Sequence, residues 1–264
     1  MFVLDTLRHR LRRGCETMAF PDGPPPALPD RHGGALRVDA QKCDAGCSAC
    51  VSVCPTGAIA RPASEPVALD LGRCIFCSAC VEICPTRAIT HTGDHRMAVR
   101  RREDLLLGGK EGETVRLAAA LDEQLRRLFG RSLKLRQVSA GGCNACEADT
   151  NVLGTIGWDL GRFGIQFVAS PRHADGLLIT GPVTRGMELA LRKTYDAVAE
   201  PRIVIAVGAC AIAGGPFVGH PQHHQGASAV VPVDLFIPGC PPHPLTILDG
   251  LLRLLGQLDP SRGR

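Results

Sequence analysis

The sequence predicts an α/β protein, a doubly wound parallel sheet preceded by a small α+β unit. Two observations predict this fold class. The segments CSACVSVCPTGAI (47–59) and CSACVEICPTRAI (77–89) match at nearly every position, which indicates one structural unit used twice. Beyond residue 113, short apolar runs alternate with amphipathic helical patterns, as expected of strands joined by crossover helices. The length of 264 residues is sufficient for two such domains.

Changes in composition predict the domain boundaries. We expect a basic amphipathic arm and Pro/Gly-rich linker over 1–35, a cysteine-rich domain over 36–92, a linker over 93–112 and the sheet domain over 113–264. In the arm, LRHRLRR (7–13) follows the apolar residues Phe2, Val3 and Leu4, which gives a helix one basic and one apolar face. The next run, PDGPPPALPDRHGG (21–34), cannot pack a core and is a linker or a wrapping arm.

Bulk composition excludes several classes of protein. A net charge of +4 is too mild to argue for nucleic acid as a partner, and the local basic runs are interpreted as solvated faces or linkers. No apolar run reaches the ~18 residues that a membrane span needs. Asp5, Arg8 and His9 interrupt the pattern of a signal peptide. We therefore expect a protein in the cytoplasm or on the cytoplasmic side of a membrane.

Thirteen cysteines point to metal ligation, because a reducing compartment does not favour disulfides. CIFCSACVEICP (74–85) has the bacterial ferredoxin spacing C-x2-C-x2-C-x3-C-P, in which three ligands come from one run and the fourth from the other. The earlier run, CDAGCSACVSVCP (43–55), has one extra residue, which a loop containing Gly46 can absorb. This rule predicts two [4Fe-4S] clusters, the first held by Cys43, Cys47, Cys50 and Cys84, and the second by Cys74, Cys77, Cys80 and Cys54.

Two alternatives to this assignment stay open. Cysteine quartets also bind zinc, although zinc sites require neither the duplication nor the prolines that follow Cys54 and Cys84. The extra residue before Cys47 leaves a three-iron or labile first cluster as a second alternative.

The second half of the chain predicts five buried strands and three main helices. The strand patterns are LKLRQV (133–138), IQFVA (165–169), GLLIT (176–180), RIVIAV (202–207) and VDLFI (233–237). The helical patterns are VRLAAALDEQLRRLF (115–129), ended by Gly130, then RGMELALRKTYDAV (185–198) and PLTILDGLLRLLGQL (244–258). Ligand sites of such a sheet lie at the carboxyl ends of its strands.

Four cysteines fall at those strand ends. Cys143 and Cys146 follow the first strand, Cys210 follows RIVIAVGA, and Cys240 follows VDLFIPG. Three strand ends of one sheet can converge on one site. A redox dithiol in GGCNACE would need no further cysteines, so the cysteines at the other strand ends argue against it. Taken by itself, Cys210 could as well be a small residue of the core.

The motifs GGCNACE, SPRHADGLLITGPVT (170–184), VIAVGACA (204–211) and IPGCPPHPLTILDGL (237–251) together resemble a known family. It comprises the small subunit of energy-converting [NiFe] hydrogenases and the subunit of respiratory complex I that carries the terminal cluster. The resemblance implies a flavodoxin-like sheet and one [4Fe-4S] cluster next to a catalytic large subunit. The ligands carried over are Cys143, Cys146, Cys210 and Cys240, and CNAC is the hydrogenase form of the motif.

Residues 1–110 resemble the separate bacterial-type 2[4Fe-4S] ferredoxin subunit of the same complexes, so the chain looks like a fusion of two electron-transfer subunits. The expected function is an electron wire of three [4Fe-4S] clusters, with no active site of its own and no catalytic residue. The implied partners are a [NiFe]-hydrogenase-like large subunit, membrane subunits of the same complex on the cytoplasmic face of the inner membrane, and a soluble electron donor or acceptor. The rivals are a complex-I-like or formate-linked module without nickel, and a non-redox zinc or scaffold protein.

Several other residues are candidates with weaker signals. Glu147 and Asp149 either cap the helix after the cluster loop or relay protons. The histidines of the loop GHPQHHQGAS can bind a metal, but an exposed loop is the simpler interpretation. These histidines are His220, His223 and His224. Cys15 belongs to no motif and is expected to be a plain thiol.

Overall fold

The computed structural model describes residues 2–44, 46–61, 67–108 and 113–258. A cysteine-rich domain with two small antiparallel sheets precedes a domain built on one five-stranded parallel sheet. This arrangement confirms the predicted fold class.

The N-terminal arm begins with an exposed helix and then packs onto the second domain. Helix α1 (Phe2–Arg13) leaves the side chains of Val3, Leu4, Leu7 and Leu11 in solvent, and Leu11 is 85% exposed. Phe20, by contrast, is buried in the core of the sheet domain. The Arg162 side chain donates to the carbonyl oxygens of Met18, at 2.7 Å, and of Phe20, at 2.6 Å. The chain just before the proline-rich segment is therefore held on the sheet domain.

Each copy of the repeat in the cysteine-rich domain forms one short helix followed by one strand. The strands of the domain are β1 (Leu36–Val38), β2 (Ile59–Ala60), β3 (Ala68–Asp70), β4 (Ile89–His91) and β5 (Leu106–Leu107). β1 pairs with β4, and β3 pairs with β2 and β5, all antiparallel. Its short helices, α2 (Ala49–Val53) and α3 (Ala79–Ile83), occupy the same place in the two repeats.

The segment predicted as a linker over 93–112 contributes to both domains where the structure describes it. It contains β5, and Val99 is fully buried. The Val99 amide donates to the Phe236 carbonyl at 3.0 Å, and the Phe236 amide donates to the Val99 carbonyl at 2.9 Å. The Arg100 side chain donates to the Asp234 carbonyl at 2.7 Å. The cysteine-rich domain is therefore hydrogen-bonded to an edge of the parallel sheet.

The parallel sheet has the strand order β10-β9-β8-β6-β7. Its strands are β6 (Leu133–Ser139), β7 (Ile165–Phe167), β8 (Gly176–Thr180), β9 (Ile203–Val207) and β10 (Leu235–Ile237). All neighbouring pairs are parallel, and the order reverses between β6 and β8, as in a flavodoxin-like sheet. β8 and β9 are buried along their whole lengths because both faces of the sheet are covered.

Four helices follow these strands, and the two that the helical patterns predict begin at Arg185 and Pro244, as expected. The four are α5 (Ala145–Val152), α6 (Arg185–Asp196), α7 (Ala209–Ala213) and α8 (Pro244–Leu254). α8 is almost entirely buried, which explains why its sequence is apolar on nearly every side.

The helix predicted over 115–129 is only partly present. Helix α4 (Glu123–Phe129) begins after Asp122, whose carboxylate accepts from the Leu125 amide at 2.9 Å, and it ends at Gly130 as predicted. The preceding segment is extended, so that part of the prediction is wrong. The amides of Ala118 and Leu121 instead donate to the carbonyls of Ala98 and Leu254. Tertiary hydrogen bonds override the helical periodicity here.

Candidate cluster-binding sites

The first cysteine quartet lines a cavity of about 300 Å³ in the cysteine-rich domain. Three of its members come from the first run, and Cys84 comes from the end of α3 in the second run. Burial raises the pKa of Cys50, the charge of Cys43 adds to this effect, and the Arg61 guanidinium opposes it. The members are Cys43, Cys47, Cys50 and Cys84.

The second quartet lines a neighbouring cavity of about 410 Å³. Here the exchanged residue is Cys54, which lies at the end of α2 and faces the three cysteines of the second run. Burial raises the pKa of Cys74 to about 12, and the charges of Cys80, Cys54 and Cys77 contribute in the same direction. The members are Cys54, Cys74, Cys77 and Cys80.

Backbone amides point at sulfur atoms in equivalent positions of both runs. The Ala58 amide donates to Cys54 Sγ at 3.2 Å, and the Ala88 amide donates to Cys84 Sγ at the same distance. Such donors suit a thiolate, which accepts charge-assisted hydrogen bonds. Two cysteine-lined cavities with amides directed at their sulfurs fit the ligand set of an iron–sulfur cluster.

The third quartet lies at the carboxyl edge of the parallel sheet and is brought together from three strand ends. Burial, and after it the charges of Cys240 and Cys143, raise the pKa of Cys210 to about 12. Burial also raises the pKa of Cys146, with Cys210 the largest charge contribution. Burial likewise raises the pKa of Cys240. Three neighbouring thiols that resist ionisation need a cationic core to be held together as thiolates. The members are Cys143, Cys146, Cys210 and Cys240.

Two glycines make room for this quartet. Gly208 lies between β9 and α7 with φ +90°, and a Cβ atom there would stand 2.6 Å from Cys146 Sγ. Gly141, directly after β6, has φ +91°, and a Cβ atom there would collide with the Thr184 side chain. Both positions need a residue without a side chain that tolerates positive φ. Gly141 therefore permits the close approach to Thr184 at the start of the segment that carries Cys143.

The second quartet has a neighbouring quartet on each side. Burial has the largest effect in raising the pKa of Cys80, in the second quartet. The charge of Cys50, in the first quartet, is a smaller contribution in the same direction. After burial and the charge of Cys143, the charge of Cys77 in the second quartet raises the pKa of Cys240 in the third. The second quartet is therefore the neighbour of both others.

The two acidic candidates point to different places. Glu147 is 6% exposed, and its carboxylate accepts from the Thr180 hydroxyl at 2.6 Å. Asp149 lines an open cavity of about 760 Å³ between the two domains, and burial raises its pKa. Neither accepts a capping hydrogen bond from the first turn of α5 among the interactions that the structure describes.

The cavity beside Asp149 also contains residues that the sequence did not single out. His32, His91 and His243 line it together with the loop that carries Cys77 and the turn that carries Cys240. His91 Nε2 lies 2.9 Å from the Ser78 hydroxyl, while His32 Nε2 and His91 Nδ1 are buried without a described partner. Burial lowers the pKa of His32 and of His243. The proximity of His243 to the PGCPP turn was the one sequence signal that could have identified this group.

The remaining candidates do not join the quartets. His220 is exposed and lies 3.3 Å from His223, measured between their Nδ1 atoms, and His223 stacks on Phe217. His224 is partly buried and pairs with Glu188 at 2.9 Å. Cys15 is exposed, and its thiol faces the Thr17 carbonyl at 4.0 Å. Across the part of the chain that the structure covers, no helix is both long and apolar enough to span a membrane.

Two families match the chain, one for each domain. The family described as "4Fe-4S dicluster domain" matches residues 35–85, and the family described as "NADH ubiquinone oxidoreductase, 20 Kd subunit" matches residues 143–254. The first range contains the two quartets of the cysteine-rich domain. The second begins at Cys143 and ends at the last residue of α8, so it contains the third quartet.

Several proteins of known name are similar to the chain. The "Probable membrane-bound hydrogenase subunit mbhJ" of Pyrococcus furiosus is 42% identical over 135 residues, 51% of this chain and 81% of that protein. "Formate hydrogenlyase subunit 7" of Escherichia coli is 37% identical, over 58% of this chain and 63% of that protein. An NADH-quinone oxidoreductase subunit of Phocaeicola vulgatus is 38% identical, over 58% of this chain and 76% of that protein.

These similarities agree with the resemblance seen in the motifs around the third quartet. The hydrogenase subunit is matched over most of its own length, and the cysteine-rich domain carries its own family match. The chain therefore belongs to the family of the 20 kDa subunit of NADH ubiquinone oxidoreductase, a family of oxidoreductase subunits, and carries a 4Fe-4S dicluster domain in front of it.

Proposed function

We propose that the chain holds three [4Fe-4S] clusters and exchanges electrons with a [NiFe]-hydrogenase-like large subunit. The three quartets described above would supply the ligands, with Cys84 and Cys54 exchanged between the two runs of the dicluster domain. When bound, such clusters supply one-electron transfer at potentials that their surroundings set over a wide range. The chain's own part is to hold twelve thiolates in three quartets and to fix the spacing between the quartets.

The observation that carries the proposal is that the second quartet is the neighbour of both the first and the third. Cys77 and Cys240 belong to different quartets and different domains, yet the charge of one acts on the other. The loop that carries Cys77 and the turn that carries Cys240 line one cavity. The hydrogen bonds between Val99 and Phe236 hold the two domains together at the edge of the sheet. This continuity favours electron transfer from the first site through the second to the third.

The third site has the surroundings of a contact with a partner. Two members of the third site, Cys143 and Cys240, are exposed, as is Cys77 of the second, whereas Cys50 and Cys80 are buried. Three relatives are named as subunits of a membrane-bound hydrogenase, of formate hydrogenlyase and of NADH-quinone oxidoreductase. We propose by analogy that the large subunit docks here, that a soluble donor or acceptor meets the first site, and that the complex lies on the cytoplasmic face of the membrane. A large partner without nickel-binding cysteines would make the complex a quinone- or formate-linked one.

Replacement of one ligand in the third site tests the proposal. Cys146→Ser should abolish turnover with the large subunit, since the quartet loses its most buried described thiolate next to Gly208. The two sites of the dicluster domain should still be reduced by dithionite. Cys15→Ser is the matched control, since Cys15 is exposed and outside every quartet. Wild-type electron delivery by Cys146→Ser would contradict the proposal.

Metal analysis separates the electron wire from a zinc protein. An anaerobically purified sample should contain iron and acid-labile sulfide in equal amounts, because each cubane contributes four of both. Zinc without acid-labile sulfide would reject all three clusters.

A further inference from the structure

One position of the internal repeat differs in charge between its two copies. Arg61 follows Cys54 by seven residues, and His91 follows Cys84 by the same interval. The repeat places each of them just after or at the end of a strand, β2 and β4 respectively. The two side chains are therefore comparable, and their surroundings can be compared site by site.

Arg61 is in direct contact with the first quartet. Its Nη2 atom donates to Cys43 Sγ at 3.3 Å, and its side chain lines the cavity that the quartet surrounds. β2 pairs with β3, with Ala60 opposite Ala68, and this pairing fixes where the arginine begins. A guanidinium group keeps its charge at every physiological pH. The first site therefore has a permanent positive charge against one of its sulfurs, and one acidic residue, Asp44, also lines its cavity.

The second quartet has different surroundings. His91 contacts the Ser78 hydroxyl, not a cysteine sulfur, and it faces the cavity between the domains. Among the described residues that line the second quartet's cavity, there is no arginine or lysine, and one acidic residue, Asp70, is present. Asp70 forms an ion pair with Arg102 at 2.6 Å, which offsets its charge.

We propose that Arg61 is a tuning residue that raises the reduction potential of the first [4Fe-4S] cluster above that of the second. A reduced cluster carries one more negative charge than an oxidised one. A fixed cation and a hydrogen bond to a ligand sulfur therefore stabilise the reduced form more than the oxidised form. The inference rests on the proposed function, because it requires a cluster in each of the two sites.

The difference in reduction potential determines which of the two clusters in the dicluster domain holds a single electron. The first site lies at the end remote from Cys240, since the second quartet is the neighbour of both others. A single electron on the dicluster domain would rest at this outer end. The first site would then serve as the point where an electron from a soluble donor is held before it moves on.

Potentiometric titration of the full chain, followed by EPR, tests the assignment. The signal of the first site is identified as the one that Cys47→Ser alters. Arg61→Gln should lower the midpoint of this signal, so that at a fixed potential the ratio of reduced to oxidised first cluster falls about tenfold, which is about 59 mV for a one-electron couple. Arg61→Lys keeps the charge but loses the planar donor, and should shift the midpoint in the same direction by less.

The controls separate this inference from the proposed function. Arg37→Gln removes an exposed arginine of β1 in the same domain and should leave both midpoints unchanged. Iron and sulfide are measured in every variant. If both Arg61 variants keep the wild-type iron content and the midpoint potential of the first cluster does not shift, the tuning role is wrong. The proposal of a cluster in each site would be unaffected. If Arg61→Gln fails to assemble the first cluster, the Arg61→Lys midpoint decides. Absence of clusters from the wild-type chain would instead reject the proposed function.

Discussion

A buried thiol beside other thiols resists ionisation, and this property governs the cysteine sites residue by residue. Burial is the largest of the effects that raise the pKa of Cys74 and of Cys210 to about 12, and the charges of neighbouring thiolates contribute in the same direction. Without a metal the thiols would remain protonated, so assembly of a cluster must release protons. A quartet that loses one member leaves three thiolates around a core that needs four. The identity of the missing residue then reports which quartet it belonged to.

Cys54→Ser uses this property to test the exchange of ligands between the two runs. Although Cys54 lies in the first run, it lines the second cavity, and its charge raises the pKa of Cys80. The variant should damage mainly the second cluster, with partial or complete loss of its EPR or Mössbauer signal. Cys84→Ser is the symmetric variant and should damage the first. Loss confined to the cluster of Cys47 and Cys50 in Cys54→Ser would contradict the exchange.

At the scale of elements, helix α1 is the one whose apolar face has no described covering. Val3, Leu4, Leu7 and Leu11 are 73%, 66%, 51% and 85% exposed, although they follow helical spacing. Its last turn contains Arg10, Arg12 and Arg13. An apolar face beside a cluster of arginines suits a membrane surface with anionic lipids or an acidic partner protein.

Deletion of residues 2–13 should release the protein from membranes while iron content stays at the wild-type level. The deletion stops before Phe20 because Phe20 packs in the core of the sheet domain, and its loss would destabilise that domain. Sedimentation with membranes, together with iron analysis, measures the outcome. Leu128→Ser changes an exposed leucine of α4 and serves as the control. Membrane association that survives the deletion would rule out a docking role for α1.

At the scale of the whole molecule, the space between the domains is a polar cavity beside two of the quartets. Residues from the arm, from β4, from α5 and from the Cys240 turn all line it. Its titratable groups are Asp149, His32, His91 and His243, with Arg31 also lining it. Burial raises the pKa of Asp149 and lowers that of His32 and of His243. The pKa values of the carboxyl group and of the imidazoles are therefore closer together than in water.

This arrangement predicts that Asp149 binds a proton when the third site gains an electron. The added negative charge would raise the pKa of Asp149 further when the third cluster is reduced. The midpoint of the third cluster should therefore fall as the pH rises from the pKa of Asp149 in the oxidised state to its pKa in the reduced state. Asp149→Asn should flatten this dependence in potentiometric titrations at several pH values. Asp196→Asn, an exposed aspartate of α6, is the control. A slope that Asp149→Asn leaves unchanged would exclude Asp149 as the relay.

The sequence by itself determined the features that depend on local spacing. The C-P runs predicted which cysteines line a common cavity, because their spacing places three members in one run and the fourth in the other. Alternating apolar runs predicted the parallel sheet, because they indicate buried strands joined by helices. The helix over 115–129 failed for the opposite reason, since Ala118 and Leu121 bond to distant chain segments that periodicity cannot reveal.

Only the tertiary structure decided how these pieces meet. It brought Cys77 beside Cys240, turned Glu147 toward Thr180 and Asp149 toward the interdomain cavity, and joined Val99 to the sheet edge. It also placed Arg61 against Cys43 while its repeat partner His91 faces elsewhere. Such juxtapositions depend on the packing of domains and on the strand order, which bring together residues far apart in the sequence.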